Sequence, residues 1–365
     1  MTLRVGIVSA AWGGFAHLPA WRAVPGVEVT AICTSREETA LAAAARLRIG
    51  RPFWDAAAMC ADPDIDIVDC GTRPVVRLPM VLAALASRKH VYNACPHAPD
   101  WPGAKAIDTA WRASGCVGVV DAFSRWLPAH RKLAELIQSG FIGRPLGGSC
   151  RFALSLFNRP DKRFPYNWFG QAGQGVSALR NNGSHLLFLL LELLGPVDEV
   201  CADDHRHLSE WRFSDGERQA VETNDDANAL LRFASGVSLT LHASWAMPAA
   251  EGWRIDLFGD EGRVAVSAPT FPTARDCMIQ GARTGETLAP IDLDAKPPKD
   301  VALGWDAEPP PSVPMALSMH AMVGAIAGGA AAKPDFGAAL EVERVQEALR
   351  RSSLERRWVS IAEID

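Results

Sequence analysis

The sequence predicts an α/β chain of two domains. Residues 1–122 form a Rossmann fold with a parallel sheet, and residues 123–365 form an α+β domain with a mostly antiparallel sheet. Three observations predict this. A length of 365 residues suits two domains of roughly 100–200 residues each. The first third of the chain alternates short apolar runs with helical patterns, the mark of βαβ units. From Gly147 onward the pattern becomes strand, turn, strand, as in antiparallel sheets.

The first apolar run is Leu3–Val8, and the second, Val27–Cys33, follows the turn Pro25-Gly26. Ile65–Cys70, introduced by Asp62-Pro63-Asp64, is the third; His90–Asn93 and Val117–Asp121 are the fourth and fifth. Helical patterns fall between them at Phe15–Ala23, Arg36–Leu47 and Arg77–Ala86. Pro128–Gly140 reads as an amphipathic helix with Leu133, Leu136 and Ile137 on one face. Strands are predicted over Gly147–Leu156, Ala227–Phe233, Ser238–Ser244, Arg254–Phe258 and Arg263–Ser267, with turns at Ser235-Gly236 and Gly259–Gly262. One long helix is expected over Gly175–Leu194, a proline-rich loop over 290–315, and helices over Ala316–Ala327 and Phe336–Arg351.

Composition excludes several classes. Thirty-seven Lys and Arg against 42 Asp and Glu give a net charge of −5, with no basic footprint for nucleic acid and no polybasic membrane patch. The N-terminus enters a strand directly, without the segments of a signal peptide. Leu186–Leu194 is very apolar but too short to span a bilayer. The 8 cysteines form no CxxC pair, which points to reduced thiols in the cytoplasm and against a structural zinc site.

The turn after the first strand carries the first candidate site. A dinucleotide pyrophosphate needs a tight turn and close backbone approach at a helix N-terminus, normally supplied by G-x-G-x-x-G. Here the window is Ser9-Ala10-Ala11-Trp12-Gly13-Gly14, where Ser9 and Ala11 replace the first two glycines and Gly14 keeps the third. The second strand ends in Cys33-Thr34-Ser35-Arg36. A carboxylate there would bind the ribose 2′-hydroxyl and repel a 2′-phosphate. Thr34, Ser35 and a guanidinium at Arg36 suit the phosphate instead, so NADP is favoured over NAD. The competing reading is that Ser35 and Arg36 merely cap the next helix. Thr72 and Arg73, after the third strand, join the cofactor candidates.

The chain resembles the glucose-fructose oxidoreductase / inositol dehydrogenase (Gfo/Idh/MocA) family over almost its whole length. The resemblance is carried by VGIVSAAWGGFAHLPAW, DPDIDIVDCGTRP, MVLAALASRKHVYNACP, RKLAELIQSGFIGRPLG, GSHLLFLLLELLGPV, DDANALLRFASGVSLTLHASW, FGDEGRV and EVERVQEALRRSS. It implies a large open sheet in the second domain, with a substrate site on one side and an oligomer interface on its face, and hence a homodimer or homotetramer. It also exposes departures. Where the family has Glu-Lys-Pro, this chain has Ala94-Cys95-Pro96, so the lysine position is Cys95. The family's aspartate and histidine, four residues apart, become Asn181 and His185, and an acidic residue three places later becomes Phe188.

Alcohol oxidation couples hydride loss to proton removal, and with the lysine gone His185 is the leading acid/base candidate. Asn181, Tyr166 and His97 are candidate helpers; the alternative for His185 is a packing histidine. Cys95 reads either as a nucleophile or as an inert residue in the vacated lysine slot. Arg125, Trp126, Arg163, Trp168 and Arg180 are candidate substrate contacts, arginine for a carboxylate or phosphate and tryptophan for a sugar or aromatic ring. The function expected is an NADP-dependent oxidoreductase of a small polar substrate, sugar-like or aromatic, with no metal. A non-catalytic dinucleotide-binding regulator and a non-redox enzyme that uses bound NAD transiently are the alternatives.

Overall fold

The computed structural model describes residues 2–155, 167–293, 296 and 298–365. The chain divides into two compact units, Met1–Trp126 with Lys296–Leu340, and Leu127–Ala295 with Glu341–Asp365.

The first unit is built on six parallel strands: β1 (Leu3–Val8), β2 (Val27–Cys33), β3 (Arg51–Phe53), β4 (Ile67–Cys70), β5 (His90–Asn93) and β6 (Gly118–Val120). Their order is β3-β2-β1-β4-β5-β6, so the direction of winding reverses between β1 and β4. At such a switch point the connections leave on opposite faces and a crevice opens beyond the C-terminal strand ends. The strands are apolar on both faces because helices cover both: Val5, Ile7, Ile32, Val68, Val91 and Val119 are fully buried. β3 has no legible signal, being three half-buried residues at the sheet edge.

A π turn, Gly13–His17, leads into α1 (Leu18–Arg22), so the helix begins two residues before the expected Phe15. The others in this unit's first segment are α2 (Glu37–Leu47), α3 (Ala56–Ala61), α4 (Pro74–Ala86) and α5 (Trp101–Ser114). α4 starts at Pro74 rather than Arg77, because proline in the first turn loses no helical hydrogen bond. Asp100 caps α5 by accepting from the Gly103 amide at 2.8 Å.

The single boundary expected at 122/123 does not describe the second crossing of the chain. Residues 296–340 return to the first unit. There Ser312 Oγ donates to the Ala16 carbonyl at 3.2 Å, and Asp335 bridges Val119. Phe336 lies on Gly118, where a Cβ would come within 2.7 Å of its ring, and edge-on to His97 at 4.7 Å. The expected loop over 290–315 ends early, since a helix spans Ser312–Ile326.

The second unit is a nine-stranded sheet. Its strands in chain order are β7 (Pro145–Ala153), β8 (Val197–His205), β11 (Asp226–Phe233), β12 (Ser238–Ser244), β13 (Gly252–Gly259), β14 (Gly262–Ala268), β15 (Met278–Arg283), β16 (Ala289–Pro290) and β17 (Val359–Ser360). A separate hairpin supplies β9 (Glu210–Arg212) and β10 (Arg218–Ala220). Every pairing in the large sheet is antiparallel except the central β7–β12 pair. Along β11 burial alternates, Ala227, Ala229, Leu231 and Phe233 inward and Asn228, Leu230 and Arg232 outward, as one-sided packing requires.

The long helix expected over Gly175–Leu194 is shorter. Gly175 has φ +75°, a π turn occupies Leu179–Gly183, and the α-helix runs only over Ser184–Leu194. The strand expected to Leu156 ends at Ala153; Leu156 lies outside the described residues.

Candidate functional site

The loop after β1 keeps the shape that its missing glycines would give. Ser9 stands at the first glycine position with φ +110°. Its hydroxyl accepts from the Ala11 amide at 3.2 Å, and its own amide donates to the Cys33 carbonyl at 3.0 Å. These bonds hold a serine in backbone geometry normally left to glycine. Close approach survives at the next glycines. A Cβ on Gly13 would meet Ile7 Cγ2 at 2.7 Å, one on Gly14 would meet Leu47 at 3.0 Å, and one on Gly71 would meet the Gly13 Cα at 3.3 Å. The helix therefore presses against β1 and β4, and its first turn opens at the crevice beyond them. That cradle fits a dinucleotide pyrophosphate.

At the end of β2, Thr34 Oγ1 and Thr39 Oγ1 are 2.7 Å apart and lie 3.1 and 2.9 Å from the Arg36 carbonyl, so that one hydroxyl donates to the other and the second donates to the carbonyl. Arg36 is the N-cap residue of α2 but makes no side-chain cap bond. The capping reading is thus not realised for Arg36: its guanidinium is exposed and has no ion-pair partner among the described residues. Thr72 and Arg73 follow β4, with Arg73 at the N-cap of α4.

Beneath the loop lies a cluster that sequence reasoning missed. His17 is fully buried, with Nδ1 2.8 Å from Asp69 Oδ1 and Nε2 3.0 Å from Asp121 Oδ2. Tyr92 Oη donates to Asp121 Oδ1 at 2.8 Å, and Trp21 Nε1 donates to Asp69 Oδ2 at 2.7 Å. Trp12, from the glycine loop itself, directs its indole N–H to Asp121 at 3.5 Å. Burial alone would push His17 down, but the two carboxylates raise it to about 10, so it is a cation. Asp69 is the penultimate residue of β4, Tyr92 sits on β5 and Asp121 follows β6, so the cluster ties the C-terminal ends of three strands to the turn before α1 and to α1 itself. The available signal was two aspartates inside otherwise apolar runs.

Cys95 ends the β5 segment, half-buried. His97 is buried with Nδ1 3.0 Å from Asn93 Nδ2; burial, helped by the Arg77 charge, pushes it down to about 3. Arg77 is itself buried, donating to the Thr72 carbonyl at 2.5 Å and to the Pro96 carbonyl. His97 is therefore held in the core of the first unit, between Asn93 and the Phe336 ring. Arg125 stacks over Trp126 at 5.5 Å at the end of the first unit's opening segment.

In the second unit, His185 lies in the first turn of α7 (the α-helix over Ser184–Leu194), buried, with its ring edge-on to Phe271 at 5.1 Å and Phe152 at 6.4 Å. Asn181 is half-buried one turn earlier. Its neighbour Asn182, missed in the sequence, donates to the Phe152 and Ser244 carbonyls at 3.2 and 3.0 Å, fixing the π turn over the ends of β7 and β12. Arg180 pairs with the fully buried Glu343 at 2.7 Å, and Trp168 packs edge-on against Phe169 at 4.4 Å beside the Trp211–Trp245 core. Both residues are half-buried and help to hold the second unit together. Tyr166 and Arg163 lie outside the described residues. No group of three or more metal-ligating side chains gathers among the described residues, and no helix there is long and apolar enough to cross a membrane.

A Rossmann unit and a mixed-sheet unit in one chain are the architecture of a class of nicotinamide dinucleotide oxidoreductases. Residues 3–122 match the oxidoreductase family with the NAD-binding Rossmann fold, and residues 130–265 match the GFO/IDH/MocA C-terminal domain. The chain belongs to the Gfo/Idh/MocA family and is an NAD(P)-dependent oxidoreductase. It is 32% identical over 278 residues to 1,5-anhydro-D-fructose reductase of Ensifer adhaerens, covering 73% of this chain and 76% of that protein. It is 29% identical over 260 residues to D-apiose dehydrogenase of Paraburkholderia graminis, spanning 69% of this chain and 64% of that one. Levoglucosan dehydrogenase of Pseudarthrobacter phenanthrenivorans is 24% identical with 99% of both chains covered. A solved complex of levoglucosan dehydrogenase with NADH and L-sorbose shares the fold at TM-score 0.85, 22% identity and 99% of both chains. An NAD-binding oxidoreductase from Klebsiella pneumoniae gives TM-score 0.86 at 25% identity, again over 99% of both.

Proposed function

We propose that this oxidoreductase uses NADP and interconverts an alcohol and a carbonyl on a small polyhydroxylated substrate, with His185 as proton donor and acceptor. One observation carries the cofactor reading: the end of β2 offers Thr34, Ser35 and an exposed Arg36 where a ribose-binding carboxylate would stand. Ser9, Ala11, Trp12, Gly13 and Gly14 would cradle the pyrophosphate, Arg36 would meet the 2′-phosphate, and Thr72, Arg73 and Cys95 would line the path to the nicotinamide. Bound there, the dinucleotide supplies hydride exchange. The chain's own residues supply the proton chemistry. With cysteine in place of the family lysine, that work falls to His185, beside an uncharged Asn181. Arg125, Trp126, Arg163, Trp168 and Arg180 would contact the substrate. The sugar-type names of the three relatives support a polyol or sugar substrate.

The test is turnover at 340 nm with NADP+ and NADPH against a panel of aldoses, ketoses, anhydrosugars and aromatic aldehydes. Activity with at least one sugar-type compound is expected, and His185→Ala is expected to lower kcat roughly 100-fold or more while NADPH binding persists. No turnover in either direction, or an undiminished rate in the variant, overturns the reading. A homodimer or homotetramer in a reducing cytoplasm belongs to the same proposal. The cysteines, all free among the described residues, support the compartment, and analytical ultracentrifugation measures the assembly.

A further inference from the structure

We infer that Arg46 is a second guanidinium for the 2′-phosphate and sets the preference for NADPH over NADH; the inference rests on the NADP reading above. Arg46 lies near the C-terminal end of α2, ten residues beyond Arg36, where nothing in the sequence marks it as a cofactor residue. In the structure its Nη2 donates to the carbonyl of Ala10 at 3.3 Å, inside the glycine loop. That single bond uses one of five guanidinium donors and leaves four for an anion.

Three features aim it at the same point as Arg36. The Ser9 amide is bonded to the Cys33 carbonyl at 3.0 Å, so the loop and the end of β2 lie side by side. Arg46 shares a face of α2 with Thr39, seven residues earlier, and Thr39 is bonded to Thr34 and to the Arg36 carbonyl. Between them that face carries only Ala42 and Ala43, which leave the arginine stem room. Helical side chains lean toward the N-terminus, which for Arg46 is the direction of Arg36. Neither arginine has a carboxylate within ion-pair distance among the described residues. Arg46 would then add a second planar fork to that of Arg36 for a phosphate dianion.

Calorimetric titration of wild type, Arg46→Gln and Arg46→Lys with NADPH, NADH and adenosine 2′,5′-bisphosphate tests this. Arg46→Gln is expected to weaken NADPH and the bisphosphate roughly 10- to 100-fold, the worth of a charge-assisted contact, and to leave NADH within about twofold. Arg46→Lys is expected to recover part of the loss. Equal weakening of NADPH and NADH would mean that Arg46 only steadies the Ala10 carbonyl, and overturns the assignment. A wild-type preference for NADPH that survives Arg46→Gln overturns it as well, leaving the NADP reading intact. Wild-type protein that binds NADH as tightly as NADPH overturns the NADP reading itself.

Discussion

A protonated imidazole enclosed by two carboxylates, a phenol and indole N–H groups keeps its proton because the carboxylates replace the water it has lost. For His17 the consequence has a definite sign. Its folded value is raised to about 10, against about 6.5 when unfolded. The stabilisation it contributes is therefore complete below about pH 6.5 and drains away as pH rises through 10. Wild-type stability in chemical denaturation is expected to fall between pH 7 and 10. His17→Gln is expected to lose about 3–5 kcal/mol at pH 7, since it leaves Asp69 and Asp121 buried without their cation, and to show a flatter slope over that interval. An unchanged slope refutes the assignment. The sequence showed the glycine loop and the β2 end at this scale, because those depend on local residue type. It hid His17, Asn182 and Arg46, whose partners are 52 to 104, 30 and 62, and 36 residues away. Distance in the chain also concealed that Glu343 engages Arg180 and that Trp168 packs on the Trp245 cluster.

Helices and strands were legible where the pattern ran long enough to repeat. β1, β2, β5 and β12 have the bounds the apolar runs predict, and α2 differs by one residue. Three-residue strands such as β3, β9 and β10 carry too few side chains to show a period. Two of the misplaced helix starts, at Phe15 and Gly175, adjoin π turns, in which one extra residue shifts the 3.6-residue face before the α-helix begins. Glycines mark where elements touch. On β6, Gly118 faces the Phe336 ring with no room for a methyl group. Gly118→Ala is expected to lower stability by about 1–3 kcal/mol, as overpacking does, and trimming Phe336 to Leu in the same chain is expected to return part of it. Urea midpoints of the two variants decide the matter.

At the scale of the molecule, composition and alternation revealed two units and their classes of sheet, but not that the first unit is discontinuous. Proline-rich linkers read as loops whichever unit they serve, and a helix pattern such as that over 316–327 does not announce its neighbour. A fragment ending at Trp126 would lack Ser312, Asp335 and Phe336. It is expected to bind hydrophobic dyes and to bind NADPH weakly or not at all, whereas residues 2–126 joined by a flexible linker to 296–340 are expected to unfold cooperatively. A cooperative transition in the shorter fragment would show that the returning segment is dispensable.

The same discontinuity imposes a timetable. Between Trp126 and the end of the returning segment at Leu340 the ribosome must add Leu127–Ala295, the larger part of the second unit. At ~5–20 residues per second that is on the order of 10–40 s. For that interval the nascent parallel sheet has a finished set of strands and an unfinished surface at Gly118 and Ala16. The dinucleotide loop, though encoded first, is thus among the later parts of the chain to be secured, and the second unit, which also takes Glu341–Asp365, is completed later still.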